Sequence, residues 1–164
     1  MSVIEYDPKA TLREARQRYF AENHLGDGGY EDKWVRLRAF GVPIGSFPNS
    51  PQHVRSVRLH DLHHVLTGYD TSWKGEAEIG LWELASGCAD HPAAWVLNFV
   101  VALIGIIIAP ARSWRAVRRG RKSRNLYSGE FSESLLDRRV SDLRRELHIQ
   151  PDRHLENRVN GESA

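Results

Sequence analysis

The sequence predicts a mainly α-helical protein: one compact helical domain over 1–149, a polar, flexible tail over 150–164, and a short extended segment near 34–47. Three observations lead there. Stretches without glycine or proline carry apolar residues at three- and four-residue spacing, the period of a helix face. Cap and stop residues stand at the ends of those stretches. Of the 164 residues, 41% are apolar, enough for one core, and no segment repeats.

Asp7-Pro8 reads as an N-cap followed by a proline at the first helical position. Leu12, Ala15, Tyr19 and Phe20 then follow helical spacing up to the loop signal Gly26-Asp27-Gly28-Gly29. Trp34 to Phe40 alternates in part, as an extended segment does, and Pro43, Pro48 and Pro51 punctuate a connection up to Gln52. Gln52 to Thr67 lacks glycine and proline, and Gly68 is a natural helix stop. Asp70-Thr71-Ser72 offers N-caps for a helix from Trp73 to Ser86, whose Gly75, Ala77, Gly80 and Ala85 permit close helix contact. Ala93 to Ala109 is the most apolar run. It falls short of the roughly 20 residues of a membrane span, so it is expected to be a core helix or a membrane-dipping one. Leu136, Val140, Leu143 and Leu147 mark a last short helical stretch.

The formal charge is +2, with 23 cations against 21 acids, which argues against a general polyanion binder. Locally the balance differs: from Pro110 to Gly129 there are seven cations and no acid. Arg112, Arg115, Arg119 and Lys122 fall on one helix face just after the apolar run, a pattern suited to lipid headgroups or a prenyl phosphate. The plainer reading is a solvated basic face. Nucleic acid is not an expected partner, since only Trp114 and Tyr127 could offer stacking there. The single cysteine, Cys88, excludes an intrachain disulfide framework. With no secretory leader at Met1-Ser-Val-Ile-Glu, the expected setting is cytoplasmic.

The chemistry concentrates in HDLHHVLTGYDTSWKGE, His60 to Glu76. Residues four apart stack on one helix face, so His60 and His64 can address one ion. Asp61 is rotated about 100° from His60 and flanks the pair, as a direct ligand or as a group orienting a histidine. The break at Gly68 lets Glu76 return against the first helix. Two imidazoles with one or two carboxylates suit zinc, iron, manganese or cobalt, with positions left for water or substrate. Asp61 and Glu76 are the candidate proton-transfer groups. His63 is expected to pack, and Glu78 and Glu83 to face solvent or neighbouring arginines.

The string, histidine-aspartate, two residues, histidine, eleven residues, glutamate, resembles the hallmark of the Coq-four family of ubiquinone (coenzyme Q) biosynthesis. HVLTGYDTSWKGE, RRGRKSRNLY and LRRELHI also look like that family, and the likeness spans roughly 18–149, as a divergent bacterial-type member. The resemblance implies a helical fold and a divalent metal, usually zinc, on His60, Asp61, His64 and Glu76. It implies a groove for prenyl lipids and peripheral attachment to a membrane. The implied reaction is oxidative removal of the ring carboxyl of a prenylated aromatic quinone precursor, with other quinone-biosynthesis proteins as partners. A homodimer is allowed for. Two other readings stay open: a non-catalytic prenyl-lipid-binding or scaffold protein with a structural metal, and a metal-dependent hydrolase. The last is weakened because aspartate replaces the glutamate of the zinc-protease string.

Overall fold

The computed structural model describes residues 7, 9–39 and 42–150; Pro8 and the tail beyond Gln150 lie outside them. Those residues form α1 (Leu12–Glu22), a hairpin of β1 (Trp34–Ala39) and β2 (Val42–Pro48), then α2 (Pro51–Thr67), α3 (Trp73–Ser86), α4 (Pro92–Ile108) and α5 (Pro110–Gly120). A single 3₁₀ turn (Leu126–Ser128), α6 (Glu133–Leu136) and α7 (Val140–Glu146) complete the order. The mainly helical fold expected from the periodicity is what the chain adopts.

The cap chemistry explains the boundaries. The first helix starts at Leu12 rather than after Asp7, because Thr11 and Glu14 form a capping box. Thr11 Oγ1 accepts from the Glu14 N–H, and Glu14 in return accepts the Thr11 N–H, so two orphan donors are satisfied together. α2 begins at Ser50, whose side chain accepts the His53 N–H, and ends at Gly68 in the left-handed conformation, φ 79°. Ser72 caps α3 by accepting the Gly75 N–H. The extended segment is a two-stranded antiparallel hairpin. Its second strand contains Pro43 and Pro48, which a two-stranded ribbon tolerates because each strand has a free edge.

α3 packs on both α4 and α5, while α1 and α7 pack on α2. Small residues set the first of these contacts. A methyl group at Gly105 would strike the Cβ of Ala77, and one at Gly80 would meet Val101 Cγ2 at 2.5 Å. Leu59, Leu62, Leu66, Ile79, Trp82, Leu136 and Leu143 are fully buried between these layers.

α4 is not a buried core helix. Ala94, Asn98, Ala102 and Gly105 are buried and Val101 turns toward α3, while the opposite face carries Trp95, Val96, Phe99, Val100, Leu103 and Ile107 into the open. Val96 is 65% exposed and Ile107 80%. At 17 residues α4 is the most apolar helix, yet no helix among the described residues is long and apolar enough to cross a membrane.

Candidate metal centre

α2 supplies His60 and His64 one turn apart, and the reversal at Gly68 brings the first turn of α3, with Glu76, against them. The three side chains converge, with one ligand atom from each lying within 4.8 Å of the others. His60 Nε2 and His64 Nε2 are 3.2 Å apart; Glu76 Oε2 lies 3.5 Å from the first, and Oε1 lies 3.4 Å from the second. Two donors on one tetrahedral ion, each bound at about 2.0–2.1 Å, stand roughly 3.3 Å from each other. The donor set therefore matches a divalent cation in both spacing and ligand type.

Both imidazoles are presented by their Nε2 atoms because Nδ1 is engaged elsewhere. His64 Nδ1 donates to the carbonyl of Tyr69 at 2.9 Å, a carbonyl aimed back by the turn at Gly68. His60 Nδ1 lies 2.9 Å from Glu83 Oε1. Burial pushes the His60 imidazole down, but the carboxylates of Glu83 and Glu76 outweigh it and hold the pKa well above the ordinary value. Burial pushes Glu76 up, and the facing histidines overcome that and leave it well below the usual carboxylate range.

Asp61 is buried beside the triad but its oxygen is not one of the converging atoms. Its Oδ2 accepts the Tyr30 hydroxyl at 2.5 Å, which binds the loop before β1 to α2. Burial raises the Asp61 pKa, and burial together with the Asp61 charge raises that of Tyr30.

Glu83 corrects an expectation. It does not face solvent; it is fully buried, 0% exposed. Oε1 accepts from His60 Nδ1 and from His63 Nδ1, the latter at 2.6 Å. Oε2 accepts from Asn98 Nδ2 at 2.5 Å and from the Tyr127 hydroxyl at 3.0 Å. An isolated buried carboxylate would be neutralised by proton uptake; four donors keep this one ionised, and its pKa falls despite burial. His63 likewise does more than pack, since its Nε2 accepts the Leu126 N–H at 2.9 Å. Glu78 does meet an arginine, but it too is buried, in an ion pair with Arg112.

The four cations expected on one face part company. Arg112 is committed to Glu78. Arg119 donates to the carbonyls of Thr67 and Gln150 at 2.9 and 2.8 Å and lies over the Tyr69 ring. Lys122 lies beyond the end of α5 and is exposed; Arg115 is half-buried on it.

A cavity of about 200 Å³ adjoins the triad. His60 and Glu76 stand on its wall with Val57, Ala94, Leu97 and Val101, so it is mostly apolar and lies between α2 and the inner edge of α4. No protein-family model matches this chain, and no curated protein matches its sequence.

Proposed function

We propose that the chain is a divergent bacterial-type member of the Coq-four family and a metal-dependent enzyme of ubiquinone-type biosynthesis. Its substrate in this reading is a prenylated aromatic precursor, and its reaction the oxidative decarboxylation of the ring. The observation that carries the reading is a His60–His64–Glu76 donor triangle on the wall of an apolar cavity. A polar, metal-type corner within apolar walls suits a ligand with a polar ring and a greasy tail. The spacing of His60, Asp61, His64 and Glu76 supports the family.

Zinc is the first choice, with iron, manganese or cobalt suited by the same donors. A bound divalent ion would supply Lewis-acid polarisation of a carboxylate or phenolate oxygen. Around it, Glu76 is a ligand whose carboxylate also faces the cavity. Asp61, held by Tyr30, is the acid–base candidate or a fourth donor. The exposed apolar face of α4, with Arg115 and Lys122 beyond it, supports peripheral attachment to a membrane from which such a substrate would come.

That same face favours a second reading, a prenyl-lipid carrier or scaffold with a structural ion. The test is elemental analysis of untagged protein with mass spectrometry of co-purified lipid, followed by complementation in cells lacking the corresponding quinone-pathway protein. An enzyme restores quinone and loses that ability in Asp61→Asn with metal retained. A scaffold restores it equally with Asp61→Asn. A chain without bound divalent metal sinks both.

A further inference from the structure

We propose that Glu83 is the positioning residue of the metal centre: it fixes the tautomer and ring plane of His60 and thereby sets metal affinity. The inference rests on the metal reading above and adds to it a residue outside the ligand triad.

The geometry supports it in three steps. First, Glu83 can only accept. Its carboxylate is fully buried and surrounded by donors: Asn98 Nδ2 at 2.5 Å and the Tyr127 hydroxyl at 3.0 Å on Oε2, with two ring nitrogens on Oε1. Second, His63 defines the polarity of that arrangement. Its Nε2 accepts the backbone N–H of Leu126 at 2.9 Å, so its proton sits on Nδ1 and points at Glu83, 2.6 Å away. Third, His60 Nδ1, 2.9 Å from the same oxygen, must also donate. A neutral imidazole with its proton on Nδ1 has its lone pair on Nε2. That is the atom 3.2 Å from His64 Nε2 and 3.5 Å from Glu76 Oε2. The carboxylate–histidine–metal relay fixes ring orientation and makes the ligand nitrogen more basic.

The hub is itself held from far along the chain. Its donors come from α2, α4 and the 3₁₀ turn at Leu126–Ser128, so Glu83 keeps its place only when those elements are docked. Asn98 projects from the inner face of α4 opposite the exposed apolar face, on the wall of the cavity beside the triad. The rotamer of His60 is thus tied to the seating of the helix that also walls the cavity.

Two measurements test this. In nitrogen-15 NMR of wild-type protein loaded with zinc, His60 should carry its proton on Nδ1 and the metal on Nε2, and His63 its proton on Nδ1. Coordination of His60 through Nδ1, or loss of the Nδ1 proton, would overturn the proposal, and this readout needs no variant to fold. In the second, competition with a chelator compares wild type with Glu83→Gln, which exchanges one acceptor oxygen for a donor. Affinity for zinc should drop about 10- to 100-fold. The visible absorption of the cobalt-loaded form should also change, because the His60 donor is altered. Unchanged affinity and spectrum in a folded Glu83→Gln would overturn the proposal while leaving the metal centre standing. Failure of wild type to bind zinc or cobalt would overturn the metal reading and this proposal with it.

Discussion

His60 Nε2 and His64 Nε2 face each other across 3.2 Å, each with Nδ1 turned away to a fixed acceptor, Glu83 for the first and the Tyr69 carbonyl for the second. Two lone pairs at that distance repel unless a cation or a proton lies between them, and Glu76 brings a negative charge to the same point. His60→Ala and His64→Ala should each release most of the ion, because each removes a direct donor and should weaken binding by well over the roughly 10- to 100-fold that loss of a supporting group produces. Glu76→Gln should lose less, since the amide oxygen can still donate a lone pair. Elemental analysis at full occupancy in both alanine variants would rule the site out.

Asp61 separates chemistry from structure. Its carboxylate takes the Tyr30 hydroxyl and lies outside the converging atoms, so Asp61→Asn should retain the fold and most of the ion. In complementation the same variant should fail. Tyr30→Phe is the companion: it strips the hydroxyl donor from the carboxylate of Asp61, a residue only 7% exposed, and should destabilise by about 1–3 kcal/mol in urea. Full function of metal-loaded Asp61→Asn would remove Asp61 from the catalytic assignments.

Gly105 and Gly80 bear on α4 differently. Alanine is favoured over glycine within a helix by about 1 kcal/mol. At Gly105 the added methyl collides with the Cβ of Ala77, which has no rotamer to change, so Gly105→Ala should be destabilising by about 1–2 kcal/mol net. At Gly80 the obstacle is Val101 Cγ2, which yields only if the β-branched side chain shifts from its rotamer, at about 0.5–1.5 kcal/mol, with the Asn98 carbonyl at 3.3 Å beside it, so Gly80→Ala should destabilise slightly and less than Gly105→Ala. Denaturant midpoints of the two variants, compared in parallel, check the ordering.

Cys88 is fully buried, and burial pushes its thiol up to about 11. At pH 8 only about one molecule in a thousand would then carry the thiolate. Folded protein should react with Ellman's reagent far more slowly than protein in denaturant. Equal rates would show that α4 lifts away from α3 readily.

The outer face of α4 gives a solution test of the membrane part of the proposal. Trp95 and Trp114, 47% and 58% exposed, should shift their fluorescence to the blue on mixing with anionic vesicles. Phe99→Glu with Ile107→Glu should abolish the shift at any salt, whereas Arg115→Glu should weaken binding chiefly at low salt, where screening is least. No shift for wild type at low salt would refute attachment by this face.

What was legible in the sequence was local. The triad could be read because one turn of helix, a glycine stop and a capped restart are all encoded within His60 to Glu76. Glu83 was not, because its donors sit at positions 60, 63, 98 and 127, and no spacing rule links those. One sign was present: Glu83 follows Glu76 by seven residues, two turns on the same face, within an apolar stretch. The second strand was hidden by Pro43 and Pro48, which read as punctuation although an edge position accepts them. The arginines misled for a related reason. Periodicity places Arg112 and Arg119 on a face but does not show that a buried carboxylate and the carbonyls of Thr67 and Gln150 await them.

The C-terminal end of α2 is gripped by arginines from much later in the chain: Arg119 on the Thr67 carbonyl, and Arg144 on those of Leu66 and Val65. Leu126 and Tyr127 reach His63 and Glu83 from the same late region. Synthesis runs from the N-terminus, so His60, His64 and Glu76 leave the ribosome with Tyr69 and Glu83 close behind, but well before Leu126, Tyr127 and Arg144. A nascent chain halted before Leu126 presents His60, His64 and Glu76 while Glu83 lacks its Tyr127 donor, His63 its Leu126 donor, and the end of α2 its Arg144 clasp. If the triad holds an ion as proposed, loading should follow synthesis of that late region, and stalled chains should compete poorly for scarce metal.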